Sequence, residues 1–206
     1  MIHPLAHVDP EAELGRGVIE IGNENFFMVG VHIAHDVEVP DHVILANYVQ
    51  VAGHACIEDC VNIGGSSAMR HFVTVGRYAY VGGLTPMRSD VPPYMKVFGD
   101  STAVRGVNTI GMSRWGIDES SIAAVKEAFR LIYGKRREHT PGKTAEALRE
   151  IEADGRMSDE HVLYLTRFLK RQMADGVFGR AREAARRDYD HDRERFYKTT
   201  ERNQPA

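Results

Sequence analysis

The stretch I-G-N-E-N-F-F-M-V-G-V-H-I-A-H-D, residues 21–36, begins a pattern in which a bulky apolar residue returns at every sixth position. The residue four places after each of these is usually small or β-branched. An amphipathic helix would repeat every third or fourth residue, and a single strand every second. The strict period of six therefore predicts a parallel β-helix made of hexapeptide repeats. The apolar series is Ile21, Phe27, Ile33, Val39, Leu45, Val51, Ile57, Ile63, Met69, Val75, Val81 and Met87.

The same period predicts which side chains stack. Each hexad supplies one short strand and one turn, and three hexads complete one coil, so residues eighteen apart lie above one another at a spacing of about 4.8 Å. Asp36 is then expected beneath His54. His35, Gly53 and His71 are expected to share a neighbouring column.

The N-terminal residues continue the repeat with one break. Ile2, Val8 and Leu14 are again six apart, whereas Leu14 and Ile21 are seven apart, with G-R-G between them. A small loop or bulge is expected there. We assign residues 1–89 to a left-handed parallel β-helix of about four to five coils.

The rest of the chain has a different pattern. Residues 90–116 contain two adjacent prolines, which cannot donate the hydrogen bonds of a β-ladder, and are expected to form an exit loop and linker. Residues 117–206 are expected to form an α-helical domain with a charged tail from Arg180 onward, either a solvated helix or frayed. Three helices are predicted: one capped by Asp118 or Ser120 and ending near Tyr133, one across Thr144–Ala153, and one across Ser158–Ala174.

Composition narrows the classes of partner. A net charge of -3 over 206 residues gives no basic excess, so neither nucleic acid nor an anionic membrane is expected as a bulk partner. Cys56 and Cys60 do not form a CxxC pair and are expected to be reduced thiols. The sequence shows no signal peptide and no run long enough to span a membrane, so a cytoplasmic location is expected.

The strongest candidate for chemistry is the pair His35 and Asp36. A carboxylate beside an imidazole can orient it and stabilise its protonated form, which a general base requires. Gly53, stacked over His35, would expose a backbone N–H able to hold an oxyanion. This set favours acyl transfer, whereas His42 is expected to be an ordinary surface residue, and His32 and His71 are left open.

A metal site is the competing interpretation of these histidines. Trimeric β-helix hydratases bind zinc through three histidines contributed across a subunit interface, and zinc needs three nitrogens converging at about 2.1 Å. A pair of histidines five apart on consecutive corners, which that family would require, is absent from the sequence. No metal is therefore predicted.

Several sequence blocks, taken in order over about half of the chain, resemble the acyl-carrier-protein-dependent UDP-N-acetylglucosamine O-acyltransferases, which begin lipid A synthesis. D-V-P-P-Y followed by G-V-N is the most specific combination. The blocks are H-I-A-H-D (32–36), I-L-A-N (44–47), A-G-H (52–54), I-G-G (63–65), V-G-G (81–83), D-V-P-P-Y (90–94), G-V-N (106–108) and L-I-Y (131–133).

The resemblance implies a homotrimer with active sites between neighbouring subunits, acting on acyl carrier protein and a nucleotide-linked sugar without a cofactor. By position, His35 would be the general base, Asp36 its orienting partner and Gly53 the oxyanion amide. Substrate contacts are implied for His32, His54, Arg70, His71, Gly83, Asn108 and Arg114. Gly83 would limit the length of the acyl chain, in a groove that it shares with Gly65, eighteen residues earlier. The alternative is that both glycines serve turns that need a positive φ.

The chain departs from that family in four places. The family has several more N-terminal coils, with a loop that contacts sugar and acyl donor, and the step from Leu14 to Ile21 passes over them. The other three departures are substitutions in the acceptor site. The family's histidine and glutamine are Arg70 and His71 here, its acidic residue is replaced at Thr109 and Ile110, and its paired arginines are Arg114 and Trp115. The leading function is acyl transfer to a nucleotide sugar; the alternatives are a non-catalytic trimeric scaffold or regulator and a carbonic-anhydrase-like metalloenzyme.

Overall fold

Twelve two-residue strands form the β-helix, and each of them ends on a residue of the apolar series. The computed structural model describes residues 20–100, 102–134 and 141–176. The strands are β1 (Glu20–Ile21), β2 (Phe26–Phe27), β3 (His32–Ile33), β4 (Glu38–Val39), β5 (Ile44–Leu45), β6 (Gln50–Val51), β7 (Cys56–Ile57), β8 (Asn62–Ile63), β9 (Ala68–Met69), β10 (Thr74–Val75), β11 (Tyr80–Val81) and β12 (Pro86–Met87).

Three parallel sheets enclose the core. Their strand orders are β1-β4-β7-β10, β2-β5-β8-β11 and β3-β6-β9-β12, so consecutive strands of the chain always enter different sheets. Paired residues are eighteen apart, as in Glu20 with Glu38 and Tyr80 with Asn62. The predicted parallel β-helix, with its three hexads per coil, is confirmed.

Two positions in each hexad point inward and form the core. The apolar series is buried from Val39 onward, and so are the small or β-branched residues that follow it by four places, such as Val43 and Val61. At the first coil described, Ile21 remains exposed. The predicted coil around Ile2, Val8 and Leu14 lies outside the described residues.

The segment 90–116 differs from the expected exit loop and linker because it also contains regular structure. β13 (Met95–Val97) stacks on β11 in parallel and so extends the second sheet, and β14 (Val104–Val107) pairs antiparallel with β13. Met95 and Val97 are buried, which explains why this segment folds onto the last coil. A short helix, α1 (Thr109–Arg114), follows.

Three longer helices complete the described chain. α2 (Glu119–Tyr133) begins at the predicted cap Asp118, whose carboxylate accepts from the Ser121 N–H. α3 (Pro141–Ala153) begins three residues before the predicted Thr144, with a proline in its first turn, where the missing N–H costs no helical hydrogen bond. A 3₁₀ turn (Gly155–Met157) leads into α4 (Glu160–Asp175). The charged tail lies outside the described residues.

Polar contacts join α4 to the side of the β-helix. The Tyr164 hydroxyl donates to the Glu58 carboxylate at 2.8 Å, and the Arg77 guanidinium stacks on the Tyr164 ring at 3.7 Å. Arg77 also donates to the Tyr94 hydroxyl at 2.7 Å. Among the described residues, no helix combines the length and the apolar character needed to cross a bilayer.

Candidate active site

One edge of the β-helix, here called the catalytic corner, consists of the turns 34–37, 52–55 and 70–73, which join the third sheet to the first. The third residue of each turn has a positive φ: 56° at Asp36, 59° at His54 and 62° at Phe72. A tight turn needs one residue in this left-handed region, which aspartate and histidine enter more readily than most side chains. The stacking of Asp36 beneath His54 is as predicted.

His35 and Asp36 are joined by a short hydrogen bond. Nδ1 of His35 lies 2.7 Å from Oδ2 of Asp36, and 65% of the His35 side-chain surface is exposed. Because the carboxylate can only accept, the neutral imidazole carries its proton on Nδ1. The lone pair of Nε2 is then available, which is the tautomer that a general base needs.

His54 adds a second imidazole to this pair. Its Nε2 lies 3.4 Å from Oδ2 of Asp36, and its ring meets the edge of the His35 ring with centroids 4.9 Å apart. Phe72 stacks on the other face of His54 at 4.9 Å and an angle of 9°. Phe72 thus holds the His54 ring in place. The sequence reasoning missed this residue, although it follows His54 by the eighteen residues of one coil.

Gly53 lies directly against the His35 ring. A Cβ added at Gly53 would be 2.6 Å from Cε1 and 2.7 Å from Nε2 of His35, so only glycine leaves room for the imidazole. In the part of the chain that the structure describes, the Gly53 N–H donates to no acceptor. The N–H of Gly65, which has the same position in its own turn, also donates to no acceptor among the described residues. Gly53 therefore differs from Gly65 in lying beside the His35 imidazole.

The remaining predicted residues of this corner lie one coil above or on the strand before it. Arg70 and His71 occupy the third turn, and the His71 ring meets the edge of Phe72 at 5.6 Å. His32 lies on β3, exposed and opposite Gln50. The structure therefore brings together seven of the predicted residues on or beside one edge: His32, His35, Asp36, Gly53, His54, Arg70 and His71.

Asn108 and Arg114 lie elsewhere in the same chain. They line a cavity of about 460 Å³ between α1 and the second sheet, here called the α1 pocket, together with Tyr80 and Lys96. In a three-sided helix the second sheet is the side opposite the catalytic corner, and the buried core lies between them. Arg114 and His35 therefore lie on different sides of one chain.

The Asn108 side chain already has local partners. Its Oδ1 accepts from the Gly111 N–H at 3.2 Å as the cap of α1, and its Nδ2 donates to the Tyr78 carbonyl at 2.9 Å. A Cβ at Gly111 would lie 2.2 Å from this Nδ2, so glycine is required beside the cap. Asn108 thus positions α1 against the β-helix.

The α1 pocket contains two aromatic side chains to which the sequence reasoning gave no role. His42, expected to be an ordinary surface residue, packs against Trp115 with ring centroids 4.9 Å apart and pairs with Glu24 at 3.2 Å. Trp115 is exposed, and Arg114 lines the same cavity. No sequence period connects positions 42 and 115, so only the fold reveals this contact.

Gly65 and Gly83 stack at a third edge, here called the glycine corner, where the second sheet meets the third. A Cβ at Gly83 would lie 3.2 Å from the Gly65 carbonyl oxygen, which confirms their predicted stacking. Neither glycine has a positive φ; that conformation belongs to Ser66 and Leu84, the next residue of each turn. The alternative explanation, that these glycines serve turns that need a positive φ, is therefore wrong, and the chain-length role of Gly83 stays a prediction.

The two cysteines are free thiols. Burial, and secondarily the Glu38 carboxylate, raise the pKa of Cys56 to about 12. Burial also raises the pKa of Cys60 to about 11, with Asp59 adding to the effect. Thiols are the nucleophilic species only when deprotonated, so neither cysteine is suited to act as a nucleophile near neutral pH.

Comparison with known proteins gives one consistent result. Residues 90–177 match the family described as "Udp N-acetylglucosamine O-acyltransferase; Domain 2". A protein of Gloeothece citriformis named acyl-[acyl-carrier-protein]--UDP-N-acetylglucosamine O-acyltransferase is 45% identical over 116 residues, which are 56% of this chain and 42% of that protein. A protein of the same name from an Anaeromyxobacter strain is 38% identical over 76% of this chain and 58% of its own length.

Solved structures agree with this result. UDP-N-acetylglucosamine acyltransferase from Arabidopsis superposes with a TM-score of 0.71 at 32% identity, covering 77% of this chain and 55% of that one. The enzyme from Moraxella catarrhalis superposes with a TM-score of 0.64 at 35% identity, covering 76% and 58%. The chain thus spans about half the length of the proteins it matches. The resemblance predicted from the sequence blocks is confirmed.

Proposed function

We propose, from the premise that this chain is a relative of the acyl-carrier-protein-dependent UDP-N-acetylglucosamine O-acyltransferases, that it transfers an acyl chain from acyl carrier protein to a nucleotide-linked sugar. A 3-hydroxyacyl or related chain is the donor group, and UDP-N-acetylglucosamine is the first acceptor to test. Use of acyl carrier protein would place the reaction in the cytoplasm. The observation that carries the proposal is the exposed His35 imidazole, held by Asp36 at 2.7 Å through Nδ1.

The proposed reaction uses groups of the catalytic corner. Nε2 of His35 takes the proton from the acceptor hydroxyl, or from an amine, and the oxygen or nitrogen attacks the thioester carbonyl carbon. The Gly53 N–H donates to the oxyanion of the tetrahedral intermediate. The C–S bond then breaks, and His35 returns its proton to the sulfur of the carrier. The products are the acylated sugar and the free carrier thiol.

The α1 pocket is the proposed binding site of the nucleotide. For any one catalytic corner, this pocket must then be supplied by a second chain. Arg114 and Lys96 supply positive charge there, as a diphosphate requires, and Trp115 supplies an exposed aromatic surface. Since the catalytic corner and the α1 pocket lie on opposite sides of one chain, a substrate that contacts both has to bind between two copies. We propose a homotrimer with three such sites.

The first experiment tests the chemistry. Purified protein is incubated with 3-hydroxyacyl carrier proteins and UDP-N-acetylglucosamine, and thioester cleavage is measured with and without the sugar. Sugar-dependent cleavage is expected, and His35→Ala should lower it by about 10²–10⁴-fold, the usual contribution of a general base. The His35→Ala protein should keep the wild-type melting temperature because the side chain is exposed. A trimer that cleaves no thioester with any nucleotide sugar would favour the scaffold or regulator instead.

A second experiment tests the shared site. His35→Ala and Arg114→Ala chains are each expected to be nearly inactive alone, and the two are co-expressed with different tags and purified as a mixed assembly. If each site takes His35 from one chain and Arg114 from its neighbour, every trimer that contains both variants restores about one site in three. Light scattering should give the mass of a trimer. No recovery in a verified mixed assembly would contradict a site between subunits.

A further inference from the structure

Three side chains from two successive coils converge beside the proposed base. One ligand atom from each of His35, Asp36 and His54 lies within 4.8 Å of the other two, and no other such group of histidine, cysteine and acidic residues occurs in the described part of the chain. A single oxygen, Oδ2 of Asp36, lies 2.7 Å from Nδ1 of His35 and 3.4 Å from Nε2 of His54.

We infer that this trio binds a divalent transition-metal ion, for which zinc is the best fit, and that the bound ion inhibits acyl transfer. Two imidazole nitrogens and one carboxylate oxygen form a donor set that zinc uses in proteins, with a further position left for solvent. Magnesium and calcium prefer oxygen ligands alone and should bind much more weakly.

The distances can be compared with those of a zinc site. Ligand atoms about 2.1 Å from a tetrahedral zinc ion lie about 3.4 Å apart. The separation between His54 and Asp36 is already 3.4 Å, so this edge of the site is preformed. The 2.7 Å separation between His35 and Asp36 is that of a hydrogen bond and must open by about 0.7 Å.

The surroundings of the trio allow His35 to move and hold His54 in place. His35 is largely exposed, so its ring can swing outward, and solvent gives the ion a path to the trio. His54 is held between the ring of Phe72 and the edge of His35, each with centroids 4.9 Å apart. The site therefore consists of a fixed half, His54 with Asp36, and one mobile ligand.

Inhibition follows from the choice of nitrogen, and this step rests on the proposed function. The ion takes the position of the Nδ1 proton that His35 otherwise donates to Asp36. A neutral imidazole with a metal on Nδ1 carries its proton on Nε2. That nitrogen can no longer accept the proton of the acceptor hydroxyl, so the ion switches off the base.

Metal binding is tested without reference to activity. Zn²⁺ is titrated calorimetrically into tag-free protein at fixed pH, and the visible absorption of Co²⁺ reports its coordination. One ion per chain is expected. His54→Gln and Asp36→Asn should each weaken binding by at least about 10- to 100-fold, because loss of even an outer-shell partner of a metal ligand has that effect. Asparagine tolerates the left-handed backbone at position 36, so the second variant should fold.

The matched control is another histidine beside a carboxylate. Nδ1 of His42 lies 3.2 Å from Glu24, but no second imidazole completes that pair. His42→Ala should leave the zinc affinity unchanged. Equal affinity in wild type and His54→Gln, or loss of binding in His42→Ala, would overturn the site.

A second measurement needs no variant. Diethyl pyrocarbonate modifies accessible imidazoles, and peptide mass spectrometry reports each histidine separately. Zn²⁺ should protect His35 from modification and leave His42 unprotected, and equal rates with and without Zn²⁺ at His35 would contradict the site.

The inhibitory step has its own test. Zn²⁺ should reduce sugar-dependent thioester cleavage with a midpoint equal to the calorimetric affinity, Mg²⁺ should not, and a chelator should restore the rate. Full activity of the zinc-loaded protein would refute the inhibition. If the protein cleaves no thioester at all, the proposed function fails, while the calorimetric and modification results still decide the metal site.

Discussion

The substitution Gly53→Ala separates two roles that one glycine combines. It keeps the backbone N–H proposed for the oxyanion and adds only a methyl group. That Cβ would lie 2.6 Å from Cε1, 2.7 Å from Nε2 and 3.1 Å from Nδ1 of His35, whereas ordinary contacts begin at 3.4 Å. The imidazole must therefore retreat by about 0.7–0.8 Å, which breaks its alignment with Asp36. A misplacement near 1 Å costs about 100-fold in rate.

We expect kcat/KM of Gly53→Ala to fall about 100-fold in the thioester assay with UDP-N-acetylglucosamine as acceptor. Stability should change by less than about 1 kcal/mol, because the ring that moves is exposed and the backbone at position 53 does not need a positive φ.

A double-variant cycle identifies the cause of the loss. If Gly53→Ala acts only by displacing His35, it should cost nothing more in a His35→Ala protein. A single variant with wild-type kcat/KM would refute the steric argument. An equal loss in both backgrounds would show that the methyl group acts on something other than His35.

Three further predictions concern the other corners and the pH response. Gly83→Met should fill the glycine corner and, if the acyl chain lies there, move donor preference toward shorter chains, since each methylene no longer buried forfeits about 0.8 kcal/mol. An unchanged product distribution by mass spectrometry, in a folded and active variant, removes the chain-length role. UDP-N-acetylglucosamine should quench the fluorescence of Trp115, the only tryptophan, and Arg114→Ala should weaken that response at least tenfold; a flat titration of the wild type would exclude the α1 pocket as the nucleotide site. Burial raises the pKa of Cys56 from 9.0 and that of Tyr164 from 10.0, each to about 12. The folded state thus favours the neutral forms, so these two groups should leave the urea midpoint unchanged between about pH 6 and 9 and lower it steadily between about pH 9 and 12, with a smaller fall in Cys56→Ser.

The β-helix could be predicted because its signal is local and repeated. Every hexad has an apolar residue at the same two inward-facing positions, so twelve short segments, each ambiguous alone, together predict one register for the coils. The segment after Met87 offered no such repetition. β13 pairs antiparallel with β14 across a loop, and the two buried residues Met95 and Val97 are too short a pattern to distinguish from an exit loop.

The eighteen-residue spacing of stacked positions also predicted most of the catalytic corner. Positions eighteen apart stack regardless of side chain, so the contact of Asp36 with His54 and that of Gly53 with His35 followed from residue numbers alone. The contact of Phe72 with His54 could have been predicted from the same spacing, since Phe72 follows His54 by one coil. The α1 pocket was not, because α1 packs on the β-helix through side-chain contacts that obey no period.

The corners of a β-helix are largely independent of one another in their contacts. In a β-helix each turn residue contacts mainly the turns directly above and below it, so a substitution at one edge is not felt at another. Ile110 and Trp115 lie at the α1 pocket, opposite His35, and both are exposed to whatever binds there. Arg70 and His71 lie on the coil above Gly53 and His54. Substitutions at Ile110 and Trp115 can therefore change what the α1 pocket binds without touching the proposed base, whereas Arg70 and His71 share the corner of His35 and alter its immediate surroundings.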